Sequence, residues 1–222
     1  MLLAVDTSTA QVGLALYDGA QVFGEYAWRS SQRHTVELAP AIFELLKRCS
    51  ITMDDVRAVG VALGPGSFTS LRVGLSLVKG LVLSRHIPLV GIPTLDILAA
   101  AQAASKLPLG VAIQAGRGRF ALGWYKSSRN GWQPKAEARV VTIEKLVDEI
   151  KSPCTLCGEF TAEERERLVK ENVKIRLAAP AQSVRRPAVL AELAWARWQA
   201  GHADDEAALA PIYLHTAEPI PA

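Results

Sequence analysis

GPGSFTSLRVGLSLVKGLVLSR, residues 64–85, follows the short apolar run Ala58 to Leu63 and turns a strand into a helix through a Gly-Pro-Gly corner. Pro65 presets φ for the second position of a tight turn, and Gly66 is expected to supply the positive φ after it. Ser67 then has the side chain of an N-cap. Wound at about 100° per residue, the helix gathers Thr69, Arg72, Ser76, Lys79 and Gly80 in one polar or small wedge, and Phe68, Leu71, Leu75, Leu77, Val78, Leu81 and Val82 over the remainder. So wide an apolar sector exceeds what one sheet face requires. Gly74 and Gly80 each cost about 1 kcal/mol relative to alanine in a helix interior, which implies close approach by another backbone. The pattern predicts a helix that is both core and subunit interface; the alternative is a buried helix whose glycines only ease packing. The corner lacks the GxxxxGK[ST] spacing of a P-loop.

Upstream, Leu2 to Val5 reads as a strand ending at Asp6, Thr7-Ser8-Thr9 as a polar turn, and Gln11 to Tyr17 as an alternating strand with Val12, Leu14 and Leu16 on one face. Asp18-Gly19 is a hairpin signal, which makes Gln21 to Trp28 the third strand of a meander. After a basic loop at 29–33, apolar residues from Val36 to Cys49 recur at helical spacing, with Pro40 expected to bend that helix or delay its start. Downstream of the central helix come a strand at Leu89–Ile92, a helix from about Thr94 to Ala104, and a break at Lys106-Leu107-Pro108. That break sets the expected boundary between a first lobe, 1–106, and a second, 107–222.

The second half opens like the first. Shifted by 108 positions, AIQAGRGRFALGWY from Ala112 lies against AVDTSTAQVGLALY from Ala4, with Ala4/Ala112, Leu14/Leu122 and Tyr17/Tyr125 identical, which points to duplication. Each lobe is expected to carry βββαβα order in an α/β fold with a mixed sheet. A hairpin at Asn130-Gly131, a helix capped by Thr142, a capping box Thr161-x-x-Glu164 and a last helix from Pro187 to Ala200 fill the second lobe. The tail with Pro211, Pro219 and Pro221 is expected to be extended and docked.

With 222 residues, 50% hydrophobic and 21% charged, the chain has the composition of a soluble globular protein. A net charge of +3 does not announce a nucleic-acid binder but leaves a local basic patch open. MLLAVDTST has neither the basic leader nor the apolar length of a signal peptide, and three cysteines suit a reducing compartment, so a cytoplasmic protein is expected.

Two lobes with a carboxylate after the first strand outline a nucleotide site. Asp6 would orient a metal-bound water, and Thr7, Ser8 and Thr9 would offer hydroxyls and backbone N–H groups to phosphates; alternatively, Asp6 caps its own turn. A divalent ion prefers several anionic oxygens, yet the position equivalent to Asp6 holds neutral Gln114, followed by the basic, glycine-rich turn 115–118. The expectation is therefore a vestigial nucleotide site without a cofactor, with an autonomous actin-like ATPase or sugar kinase as the competing reading. No GxSxG or HExxH occurs, and the single CxxC, Cys154 and Cys157, falls short of the four ligands of structural zinc. His34 opens a helix after a basic loop, as either a helix-end or an interface residue. Arg117, Arg119, Arg185 and Arg186 are candidate phosphate contacts.

With these residues in view, the chain resembles the TsaB (YeaZ) family, dimerisation subunits of the bacterial machinery that makes threonylcarbamoyladenosine at position 37 of tRNAs reading ANN codons. The resemblance rests on LLAVDTSTAQVGLALYDG, SQRHTVELAPAIFELL, AVGVALGPGSFTSLRVGLSLVKGL and LVGIPTLDILA. It is close to about residue 100 and looser from 109, and in the tail His215 stands where the family usually has arginine. It implies duplicated actin-like (ASKHA, ribonuclease H-like) lobes and a non-catalytic scaffold rather than an enzyme. The implied partners are the catalytic paralogue TsaD and the ATPase TsaE, with a homodimer in isolation, tRNA touched at most indirectly, and no membrane. Where TsaD carries an HxxxH metal motif this chain has Thr94 and Leu98, neither of which replaces an imidazole. Pairing is expected through the two wide-faced helices of the first lobe, at His34, Leu38, Ile42, Leu45, Ser67, Leu71, Arg72, Gly74, Leu75 and Val78.

Overall fold

The computed structural model describes residues 1–31 and 33–214. Within them the chain forms β1 (Leu2–Asp6), β2 (Gln11–Tyr17), β3 (Val22–Arg29), α1 (His34–Arg48), β4 (Ala58–Ala62), α2 (Phe68–Arg85), β5 (Leu89–Ile92) and α3 (Thr94–Ala100). There follow β6 (Leu109–Gln114), β7 (Arg119–Ser128), β8 (Gly131–Pro134), β9 (Arg139–Thr142), α4 (Ile143–Glu149), β10 (Cys154–Gly158), α5 (Ala162–Glu171), β11 (Ile175–Leu177) and α6 (Pro187–Gln199).

Two units divide the described chain: Met1–Ile97 together with Arg185–Ile212, and Leu98–Val184 together with residues 213–214. The first holds a five-stranded sheet in the order β3-β2-β1-β4-β5. β1 to β3 form the antiparallel meander, while β4 and β5 run parallel to β1. Residues alternate across a pleated strand, and here both faces are covered. Leu3, Val5, Leu14, Leu16, Val59 and Val61 pack under Leu38, Ile42 and Leu45 of α1 and Leu75, Val78 and Val82 of α2. The opposite face is built from smaller residues, Ala4, Ala15, Ala58 and Ala62, and receives Leu190, Ala191 and Ala194 of α6. The approach is close: a Cβ on Gly60 would lie 2.6 Å from the Ala194 Cβ.

This return corrects the expected boundary, because residues 107–222 do not form one lobe. α1 and α2 share one face of the first sheet, the other face is equally apolar, and the chain comes back after the second unit to cover it. Within the described tail, Ile212 donates its backbone N–H to the Leu63 carbonyl at 2.8 Å; Pro219, Pro221 and His215 lie outside the described residues.

The second unit has strand order β11-β10-β6-β7-β8, with β9 also pairing with β7. Counted in chain order the second sheet reads 3-2-1-5-6, and with the extra strand β9 set aside it has the 3-2-1-4-5 order of the first, so the duplication is present in the topology. Its core gathers Phe120, Leu122, Val141, Leu146, Leu156 and Leu168.

Local chemistry sets the helix starts. Ser67 accepts from the Ser70 N–H at the head of α2, Thr142 from the Lys145 N–H at α4, and Thr161 with Glu164 closes the capping box of α5. At the Gly-Pro-Gly corner the positive φ falls on Gly64 (103°) and not on Gly66. Gly66 is needed for a different reason, since a Cβ there would collide with the Ser8 carbonyl. α1 starts at His34 and continues through Pro40. The helix hydrogen bond that Pro40 cannot donate is the one to the Val36 carbonyl, on the exposed side of α1 where Val36 is 64% exposed.

Candidate functional site

β1 delivers Asp6 to the turn 7–10 under the head of α2, and every polar side chain there is spoken for. Asp6 Oδ1 accepts from the Ser8 N–H at 2.8 Å, capping its own turn, while Oδ2 accepts from Arg185 Nε at 2.7 Å. Arg185 Nη2 also donates to Thr9 Oγ1 (3.0 Å) and to the Gln11 carbonyl (2.9 Å). Thr7 Oγ1 donates to the Ser70 carbonyl at 2.8 Å. Ser8 Oγ lies 2.7 Å from Thr94 Oγ1, which accepts from the Gly64 N–H at 2.9 Å. The Ser67 N–H closes the network on the Ser8 carbonyl at 2.7 Å. His34 Nε2 stands 3.2 Å from the Thr9 carbonyl and ties the start of α1 to the same turn.

All of these groups are out of solvent: Asp6, Thr7, Ser8 and Thr9 are at most 3% exposed and Arg185 1%. A carboxylate with one oxygen on a backbone N–H and the other on a guanidinium has no charge left to offer a divalent ion. The arrangement neutralises a buried charge with a buried partner, as burial of either alone would demand.

Several sequence expectations change here. Arg185, a candidate phosphate contact, is the internal counter-ion of Asp6, and Arg186 is turned to the surface, where its Nε donates to both Glu25 oxygens at 2.9 Å. Gln114 donates its amide to the Glu159 carbonyl at 3.1 Å. Arg117 is exposed on the positive-φ turn after β6. Thr94 and Leu98, at the two positions where the resemblance places histidines in TsaD, are each fully buried. Cys154 and Cys157 are buried, and burial pushes their thiols up to about 11 and about 12. Among the described residues no cluster of three His, Cys, Asp or Glu side chains is placed to hold a metal, and no helix is long and apolar enough to cross a membrane.

Of the ten expected interface residues, His34, Leu38, Ile42, Leu45, Leu71, Gly74, Leu75 and Val78 are buried within the first unit; Ser67 is half-buried and Arg72 exposed. The buried eight hold α1 and α2 to their own sheet and turn. Gly74 illustrates the reason: a Cβ there would collide with Thr7 Oγ1, so what it makes room for is a side chain of its own unit and not another backbone. What the two helices present outward is a second apolar set, Val36 (64% exposed), Phe43 (68%), Phe68 (53%) and Leu83 (54%). Arg72 lies over the Phe68 ring, 3.7 Å from its centroid.

The doubled 3-2-1-4-5 mixed sheet, with an acidic residue closing the first strand, defines a protein of the actin-like ATPase fold. A solved structure titled "YeaZ from Pseudomonas aeruginosa" superposes with a TM-score of 0.77 at 23% identity, covering 96% of this chain and 99% of that one. The family model described as "TsaD: tRNA N6-adenosine threonylcarbamoyltransferase" matches residues 28–193. The Bacillus subtilis "tRNA threonylcarbamoyladenosine biosynthesis protein TsaB" is 30% identical over 98% of this chain and 95% of its own length. Its Escherichia coli namesake is 28% identical over 67% of this chain and 64% of its own. The chain belongs to the TsaB (YeaZ) family.

Proposed function

We propose that this chain is a non-catalytic scaffold in tRNA threonylcarbamoyladenosine biosynthesis, acting in the cytoplasm. It pairs with a TsaD-type paralogue in a complex that a TsaE-type ATPase joins, and with a second copy of itself when the paralogue is absent. The observation that carries this reading is the Asp6–Arg185 pair: the carboxylate that an actin-like ATPase would use on its metal is held by the chain's own guanidinium. The transfer chemistry then belongs to the paralogue. The docking surface is the exposed side of α1 and α2, with Val36, Phe43, Phe68 and Leu83 as apolar anchors and Arg72 over the Phe68 ring. Single exposed apolar residues are ordinary, but four on two neighbouring helices packed on one sheet face make the kind of patch that a partner covers.

Co-expression with a tagged TsaD-type paralogue tests the proposal, together with calorimetry of the isolated chain against Mg-ATP. Expected are co-purification, its loss in Phe43→Glu and Phe68→Glu, and no heat of nucleotide binding. Steady ATP turnover by the isolated chain, or full threonylcarbamoyladenosine synthesis without it, overturns the scaffold role.

A further inference from the structure

From Ile97 to Ala136 the chain carries six lysines and arginines and no aspartate or glutamate. The fold concentrates three of them. Leu109, which opens β6, pairs with Tyr125 of β7, and Tyr125 pairs with Pro134 of β8. Lys126 and Lys135 each follow one of those paired residues, and Lys106 lies three residues before Leu109. All three line one cleft of about 530 Å³, with Ser105 and Ser127 between them. They are exposed, and among the described residues none of the three makes an ion pair. Elsewhere in the same unit Arg139 pairs with Glu149, and Arg167 with Glu144 and Glu171.

We propose that this cleft is a docking surface for the phosphodiester backbone of RNA. Three ammonium groups kept together without a carboxylate repel one another, and an anion bridging them relieves that repulsion. Lysine contacts phosphate as a point charge, and serine hydroxyls add sequence-independent donors, the pattern of backbone tracking rather than base reading. The lysines stand around an open rim and not in a closed cage, which suits successive phosphates better than one small ion. None of the large exposed apolar residues of the chain lies within 97–136, so the surface has no anchor for a lipid bilayer. The choice of RNA over another polyanion rests on the proposed role in tRNA modification.

The test is fluorescence anisotropy of the full chain with a labelled tRNA transcript between about 50 and 200 mM KCl, the range over which phosphate contacts weaken steeply. The triple variant Lys106→Glu, Lys126→Glu, Lys135→Glu is expected to bind about tenfold or more weakly and to lose roughly two units of salt slope. A control with the same charge change, Lys145→Glu, Lys151→Glu, Lys170→Glu, is expected to bind within about threefold of the parent. Equal losses in both triples, undiminished binding by the first, or no binding by the parent at 50 mM overturns the proposal. So does an acidic protein that competes for the cleft where tRNA does not. Paralogue co-purification separates the two readings: the lysine triple retains it and Phe43→Glu loses it, so failure of one surface leaves the other standing.

Discussion

Asp6 and Arg185 are 179 positions apart in sequence and 2.7 Å apart in space. Removing one member of a buried pair leaves the other uncompensated, at a cost of about 3–5 kcal/mol. Arg185→Leu is therefore expected to lower unfolding stability by about that much in urea titration, and the double variant Asp6→Asn, Arg185→Leu to recover part of it. Additive losses in the double variant would show that the pair is not coupled. Cys154 and Cys157 make a second residue-scale case. Burial lifts both thiols above their ordinary 9.0, to about 11 and about 12, so the folded state favours the protonated form. That contribution is complete below about pH 9 and is lost as pH rises towards 12. Native protein at pH 8 is expected to resist iodoacetamide at both thiols and to become reactive only on unfolding, as mass spectrometry would read it. Asp6 stood out in the sequence because it ends an apolar strand before a hydroxyl-rich turn. Arg185 did not: nothing local distinguishes it from its neighbour Arg186, and only the return of the chain to the first sheet separates their fates.

Among the elements, α2 was the most legible. Its cap, its extent to Arg85 and the strand before it all follow from residues 58–85, because a Ser N-cap, a Gly-Pro corner and a long apolar periodicity agree with one another. The faces were harder to assign. Periodicity shows that a helix has two apolar sides without saying which one meets its own sheet, so Leu71, Gly74, Leu75 and Val78 were read as interface although they are the inner side. Gly74→Leu is thus expected to destabilise the isolated chain, by at least the roughly 1–3 kcal/mol of overpacking, rather than merely part its subunits. Thermal melts would check this, and an unchanged melting temperature with lost pairing would restore the interface reading. The second sheet was legible through Asn130-Gly131 and the Thr161-x-x-Glu164 box, both strong local signals. Gly66 was placed correctly but for the wrong reason, since its need comes from Ser8 and not from its own turn.

At the scale of the molecule, α6 is the element that makes the first unit discontinuous. A chain ending at Val184 would lose Leu190, Ala191 and Ala194 from the face formed by Ala4, Ala15, Ala58 and Ala62. Such a truncation is expected to bind the dye ANS and to lose cooperative unfolding of the first unit, while the contiguous residues 98–184 keep theirs. Two cooperative transitions at full amplitude would count against this. The alternation of small and large residues in β1, β2 and β4 was the signal that a second helical layer lies close to the sheet. It was missed because the covering helix is over a hundred residues further along.

The same return has a consequence on the ribosome. The earlier segment of the first unit is completed only by the later one, since Ile97 and Gln199 are separated by residues 98–184 of the other unit. At elongation rates of about 5–20 residues per second, the alanine-lined side of the nascent sheet waits roughly 5–20 s for its cover. During that interval it is expected to be open to holdase chaperones, and a slow codon placed between the two segments is expected to prolong the exposure.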